Sequence, residues 1–216
     1  IRTALSEMKD AGIENILIAN QVVQPSKVKR VAELAKDHYI IICVDDKDNI
    51  KALSDAAVEA GSQIHVLVEY EVGMKRCGVD TYDEFIELAE LIDKSEGLIF
   101  EGIQAYGGHM AHEHSLETRI AETNRIENEV RELKALLEAK GLKVKEVGGG
   151  STGTIEQKAK DTVYTDIQAG SYIFMDNAYG QLHLGFKNAL FVLTTVISTK
   201  KDRVVTDTGV KSLGMD

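Results

Sequence analysis

Residues 147–154 read VGGGSTGT, with four glycines in six positions and Ser151, Thr152 and Thr154 among them. Backbone N–H groups without side chains to shield them, beside hydroxyls, are the materials of an anion cradle. Gly148, Gly150 and Gly153 satisfy G-x-G-x-x-G. Gly148 and Gly153 also have P-loop spacing, but Thr154 and Ile155 stand where that loop needs Lys and Ser/Thr. VEYEVGMKRCGVD sets Arg76 between Gly73 and Gly78, beside the apolar Met74, Cys77 and Val79. A cation so bracketed suits an inward turn toward an anionic or phenolate oxygen, against the plainer alternative of a surface ion pair. GIQAYGGHMAHEH brings Tyr106, which could simply pack, and His109, an imidazole able to move a proton near neutral pH. His109, His112 and His114 match no standard zinc spacing, and no cysteine lies close. His112 and His114 are expected to be exposed at a helix start, with His109 facing the site. In FMDNAYG, Asp176 and Tyr179 read as a turn whose aspartate caps backbone groups.

The chain of 216 residues is long enough to bury a substantial core. Hydrophobic residues make up 44% and charged residues 28%, the balance of a soluble globular protein. The longest apolar runs, such as ALFVLTTVIS at 189–198, are far too short to span a bilayer. A formal net charge of −10 argues against nucleic acid, which calls for a basic face. IRTALSEMKD shows no signal-peptide pattern, and Cys43 and Cys77 form no disulfide framework, so the expected compartment is the cytoplasm.

These residues need elements to carry them. A helix is expected over residues 2–11, then a strand near Ile16–Ala19. SKVKRVAELAKD reads as a helix with Ser26 as N-cap, and HYIIICVDD as a buried strand. KDNIKALSDAAVEAG is a helix ending on Gly61, QIHVLVEYEVG a strand, and TYDEFIELAELIDKS a helix. LIFEGIQAY is a strand, and the longest helix runs from about Leu116 to Lys140 with Ile126, Val130, Leu133 and Leu137 on one face. VKEVGGG and TDIQAGSYIFMD supply two more strands. Strands apolar throughout are buried on both faces, as in a parallel sheet covered by helices. The first three begin near residues 16, 40 and 64. At roughly 31 residues per unit of a closed eightfold barrel, about six units fit before residue 176. The expectation is an α/β fold: a partial TIM-type (β/α) barrel lacking its first strand over 1–182. Val/Thr-rich LFVLTTVIS and DRVVTD then open a β domain over 183–216.

A dinucleotide loop should follow the first strand and open a full helix, and this one does neither. In a barrel it would lie at the carboxyl ends of the strands, with Gly170 and Ser171 after the next strand beside it, where barrels commonly hold phosphate. A bare glycine-rich turn and a nucleotide site remain the alternatives.

IANQV, VEYEVGMKRCGV, GIQAYGGH, VGGGSTGT and QAGSYIFMD, in that order, resemble the D-threonine aldolase / D-serine dehydratase family. These are pyridoxal-phosphate enzymes of the alanine-racemase fold type. The resemblance implies that Arg76 lies near the cofactor's phenolic oxygen and Tyr106 beside its pyridine ring. Ser151, Thr152, Gly153, Gly170 and Ser171 correspond to the phosphate-binding set, and His109 to a histidine near the substrate hydroxyl. It further implies a D-3-hydroxy amino acid as substrate, cleaved to glycine and an aldehyde, and a homodimer. A dehydratase acting on D-serine or D-threo-3-hydroxyaspartate, releasing an oxo acid and ammonia, is the alternative, as is a cofactor-holding protein without turnover. The family's cofactor lysine is expected upstream of this chain and its divalent-metal pair beyond Asp216. Lys75 and Lys211 do not match the lysine position, so the chain alone is expected to be an inactive fragment.

Overall fold

Continuous apolar runs make strands that demand cover on both faces, and the amphipathic segments between them supply it. A computed structural model describes residues 11–13, 15–158, 162–209, 211 and 212. Six strands alternate with helices: β1 (Asn15–Ile18), α1 (Pro25–Leu34), β2 (Tyr39–Val44), α2 (Lys47–Ala60), β3 (Ile64–Glu69) and α3 (Tyr82–Lys94). β4 (Leu98–Ala105), α4 (Leu116–Ala139), β5 (Glu146–Gly149), the short α5 (Ile155–Lys158) and β6 (Asp166–Ile167) complete the series. All six strands are parallel, in the order β1-β2-β3-β4-β5-β6, and the sheet curls as a partial TIM-type barrel. The helix expected over residues 2–11 lies outside the described residues but for its last position.

Local chemistry explains most boundaries. Asp46 caps α2 by accepting from the N–H groups of Asp48 and Asn49, and Gly61 ends it at φ 67, a left-handed conformation glycine adopts without strain. Thr81 caps α3. Ser26 is not the cap of α1, contrary to expectation. The helix starts two residues earlier than a Ser26 cap would give, at Pro25, whose fixed φ and missing N–H suit the first helical position, and Gln24 precedes it. The expected strand through TDIQAGSYIFMD shrinks to Asp166–Ile167, because β5 offers partners only at Gly148 and Gly149, and Ser171–Ile173 form a 3-10 turn instead.

Alternate strand residues face the helices, where Ile40, Ile42, Ile64, Val66, Val68 and Ile103 pack against Phe85, Ile92, Leu133 and Leu137. The other face of the sheet carries Leu17, Tyr39, Ile41, Cys43 and Leu67. Strand register places Glu69, Gln104 and Gly148 side by side at its carboxyl edge.

The chain divides into two compact units, Ile1–Gly170 and Ser171–Asp216. The second holds α6 (Asn177–Gly180), capped by Asp176 as expected, and an antiparallel hairpin of β7 (Val196–Thr199) and β8 (Val204–Thr206). Of the Val/Thr-rich segments, Val196–Thr199 and Val204–Thr206 form strands, while residues 190–195 do not.

Candidate active site

Every sequence-predicted site residue of the first unit lies just beyond the carboxyl end of a strand. Arg76 follows β3, Tyr106 and His109 follow β4, Ser151–Gly153 follow β5, and Gly170 follows β6. Parallel barrels use that edge for chemistry, since the loops there converge from several strands.

The loop after β3 is closed by a bridge between Tyr70 and Val79. Inside it the Glu71 carboxylate accepts from the backbone N–H groups of Gly73 and, at 3.1 Å, Arg76. Asp45, at the end of β2, accepts from Gly78 at 2.9 Å. The turn holds Lys75 at φ 52 and Gly73 at φ 130, so the backbone around Arg76 is sharply folded, as its flanking glycines suggested. The guanidinium Cζ sits 5.8 Å from the centroid of the Tyr106 ring, a cation–π pairing, and the terminal nitrogen Nη2 lies 3.9 Å from Glu69 Oε1. Glu69 is buried, which pushes its carboxyl above the usual range, while the bond from Gln21 and the charge of Arg76 pull the other way.

Tyr106 also packs close to bare backbone, since a Cβ at Gly108 would fall 2.4 Å from a ring carbon. His109 Nε2 is 3.1 Å from Oε1 of Glu122 on α4. Its ring rests on Gly73, where an added Cβ would stand 2.7 Å from it. The loops after β3 and β4 therefore meet, joining Arg76 to Tyr106 and Gly73 to His109. His112 and His114 are exposed, as expected.

The glycine loop has a steric reason of its own. A Cβ at Gly149 would meet the Tyr164 ring at 2.2 Å and the Ala105 carbonyl at 2.5 Å. One at Gly153 would stand 2.7 Å from the Ala111 carbonyl, and Gly150 has φ 67. The loop is thus pressed onto the segment carrying Tyr106 and His109. Ser151, Thr152 and Thr154 are buried, and the Ser151 N–H donates to Thr154 Oγ1 at 3.1 Å. No side chain crowds Gly170, around which a Cβ would meet nothing within 4 Å. Ser171 begins the second unit.

Several participants were not singled out from sequence. Glu122 and Arg125 on α4 are one such group: Arg125 donates to Glu122 at 2.7 Å, to Glu129 at 2.6 Å and to the Val72 carbonyl at 2.7 Å. Gln104 and Gln168 exchange reciprocal amide hydrogen bonds of 2.8 and 3.0 Å, with Gly148 on the strand between them. The sequence signal was slight: Gln104 is polar within the largely apolar β4, and Gln168 lies just past β6.

Residues 4–178 match the alanine racemase N-terminal domain family. The chain is 41% identical over 207 residues to a D-threonine aldolase of an Arthrobacter species, covering 94% of this chain and 55% of that protein. It is 38% identical over 216 residues to a 3-hydroxy-D-aspartate aldolase of Paracoccus denitrificans (strain Pd 1222), covering 95% of this chain and 56% of that protein. The crystal structure of D-threonine aldolase from Filomicrobium marinum superposes with a TM-score of 0.90 at 36% identity, over 98% of this chain and 58% of that one. The chain thus spans a little over half the length of these relatives. Its matched family, its parallel curled sheet and its likeness to these aldolases agree: the chain belongs to the alanine racemase N-terminal domain family.

Proposed function

We propose that this chain is part of a pyridoxal-phosphate-dependent lyase that cleaves a D-3-hydroxy amino acid, D-threonine or a close analogue, into glycine and an aldehyde. The observation that carries the reading is the meeting of Arg76, Tyr106 and His109 at one strand edge, in a chain similar to two kinds of D-3-hydroxy amino acid aldolase.

The residues fit the cofactor. A guanidinium over an aromatic ring offers a cation to a phenolic oxygen and a flat apolar face to a pyridine ring. The hydroxyl- and glycine-bearing loop at Ser151, Thr152 and Gly153 suits a phosphate. Gly170 and Ser171 belong to the same set by resemblance. When bound, pyridoxal phosphate supplies an electron sink for the pair left on Cα when the Cα–Cβ bond breaks. His109 takes the proton from the β-hydroxyl, whose oxygen then forms the aldehyde carbonyl as that bond breaks. Cα then takes a proton and leaves as glycine, while His109 returns to solvent the proton it took, so no net proton is consumed.

Among the described residues no group of three or more His, Cys, Asp or Glu side chains is placed to hold a metal. For the whole protein we propose a divalent metal, a homodimeric state and a cytoplasmic location.

The test is product identity. The full-length protein is incubated with pyridoxal phosphate and D-threonine, and aldehyde and ammonia are both assayed. Aldehyde with glycine supports the lyase; ammonia with an oxo acid would replace it by the dehydratase. Saturating pyridoxal phosphate should also raise the thermal midpoint, by about 2.7 kcal/mol of stabilisation at a hundredfold excess over Kd. Protection by a nucleotide instead would revive the nucleotide reading of the glycine loop.

A further inference from the structure

His109 is useful as a base only if one ring nitrogen offers a lone pair and the other is held. Its Nε2 already has a partner, the Glu122 carboxylate at 3.1 Å. That carboxylate is itself fixed. Arg125 donates to both of its oxygens, at 2.9 Å through Nε and 2.7 Å through the terminal nitrogen, and also ties to the Val72 carbonyl and Glu129. Val72 adjoins Gly73, on which the imidazole rests, so one arginine braces both the acceptor and the surface under the ring.

We infer that Glu122, held by Arg125, is a positioning residue that fixes His109 as the Nε2–H tautomer and leaves Nδ1 to take the substrate proton. An ionised carboxylate can only accept, so Nε2 must carry the hydrogen. The Arg125 bond, against burial and with help from His109, holds the Glu122 carboxyl at about 2, well below its ordinary range, so it is ionised at any pH where an aldolase would work. A carboxylate behind an imidazole also stabilises the imidazolium formed when the base takes its proton, as in hydrolase triads. The β-hydroxyl proton goes to Nδ1, and Nε2–H stays on Glu122 throughout. This inference rests on the proposed role of His109.

In a Glu122→Gln variant, Arg125 would engage the amide oxygen and turn the NH2 group toward His109. The amide then donates to Nε2, and the ring hydrogen moves to Nδ1, where the base is needed. The chain is labelled with 15N-histidine and its tautomers are read by long-range 1H–15N NMR. A His109→Gln variant picks out the signal among the six histidines. Expected are Nε2–H in the parent and Nδ1–H in Glu122→Gln. In the active enzyme, the same variant should lose roughly 100-fold or more in kcat, with KM little changed.

An Nδ1–H parent, or a tautomer untouched by the substitution, overturns the inference. The parent spectrum decides even if the variant folds poorly. A tautomer that switches while aldehyde release continues unchanged would leave the pairing intact and remove His109 from the reaction, so the two failures are told apart.

Discussion

His109 and Gly73 are fitted to each other. The ring lies where a Cβ at position 73 would come within 2.7 Å, and Gly73 itself sits at φ 130, which side chains rarely tolerate. Gly73→Ala should therefore act twice, straining its own loop and pushing the imidazole aside. We expect a loss of stability of about 1–3 kcal/mol and, because a shift near 1 Å at a reacting group can cost that much, a roughly 100-fold fall in turnover. Steady-state kinetics with thermal unfolding would check it, and full activity in a folded variant would detach the loop from the site. Gly149 makes the contrasting case. There the obstruction is the Ala105 carbonyl as well as the Tyr164 ring, and backbone in a sheet cannot step aside as an imidazole can. Gly149→Ala should chiefly lower the yield of folded protein, as solubility and circular dichroism would report.

At the scale of elements, α4 does two jobs on two faces. Ile126, Val130, Leu133 and Leu137 are buried against the sheet, while Glu122 and Arg125 reach the loops at the strand ends. Leu133→Ala should cost about 2–5 kcal/mol by opening a cavity under the helix. Leu136→Ala, at a position 44% exposed, should stay within about 0.5 kcal/mol. Equal denaturant midpoints for the two would contradict the assigned face. The buried face was legible in the sequence because helical periodicity survives without tertiary knowledge, and so was the parallel sheet, whose strands are apolar on both sides. Gly61 announced its helix end for the same local reason. Glu122 was not legible. Its partner His109 is thirteen residues away across a loop, and beside Arg125 it resembles an ordinary surface pair three residues apart on a helix. The glycine loop was legible as a site but not as packing, because its contact with Ala111 and Tyr164 exists only once the strands are laid side by side.

For the molecule as a whole, acid response turns on carboxylates pulled in opposite directions. Glu122 is held at about 2 by the Arg125 bond and then by His109. Glu101 is also lowered: burial opposes its charge, but bonds from His65, Lys145 and Tyr39 prevail. Each has a folded pKa below the unfolded value of about 4.3, so its stabilisation is complete above that value and lost as pH falls through the folded one. Glu146 is raised, by burial first and then by the charges of Asp166 and Glu101. The native state therefore takes up its proton more readily, and Glu146 is a burden at neutral pH that acidification relieves. Two substitutions should then bend the stability curve in opposite senses. Glu122→Gln removes part of the loss between pH about 4.3 and about 2, flattening the acid limb from a lower neutral plateau. Glu146→Gln raises the plateau and forfeits that gain as pH falls, steepening the descent. Urea midpoints measured from neutral pH down to about 2 would read both, the Glu146 effect above pH about 4.3 and the Glu122 effect below it. Curves displaced in parallel would mean that neither carboxylate's protonation is coupled to folding in the way the surrounding charges require.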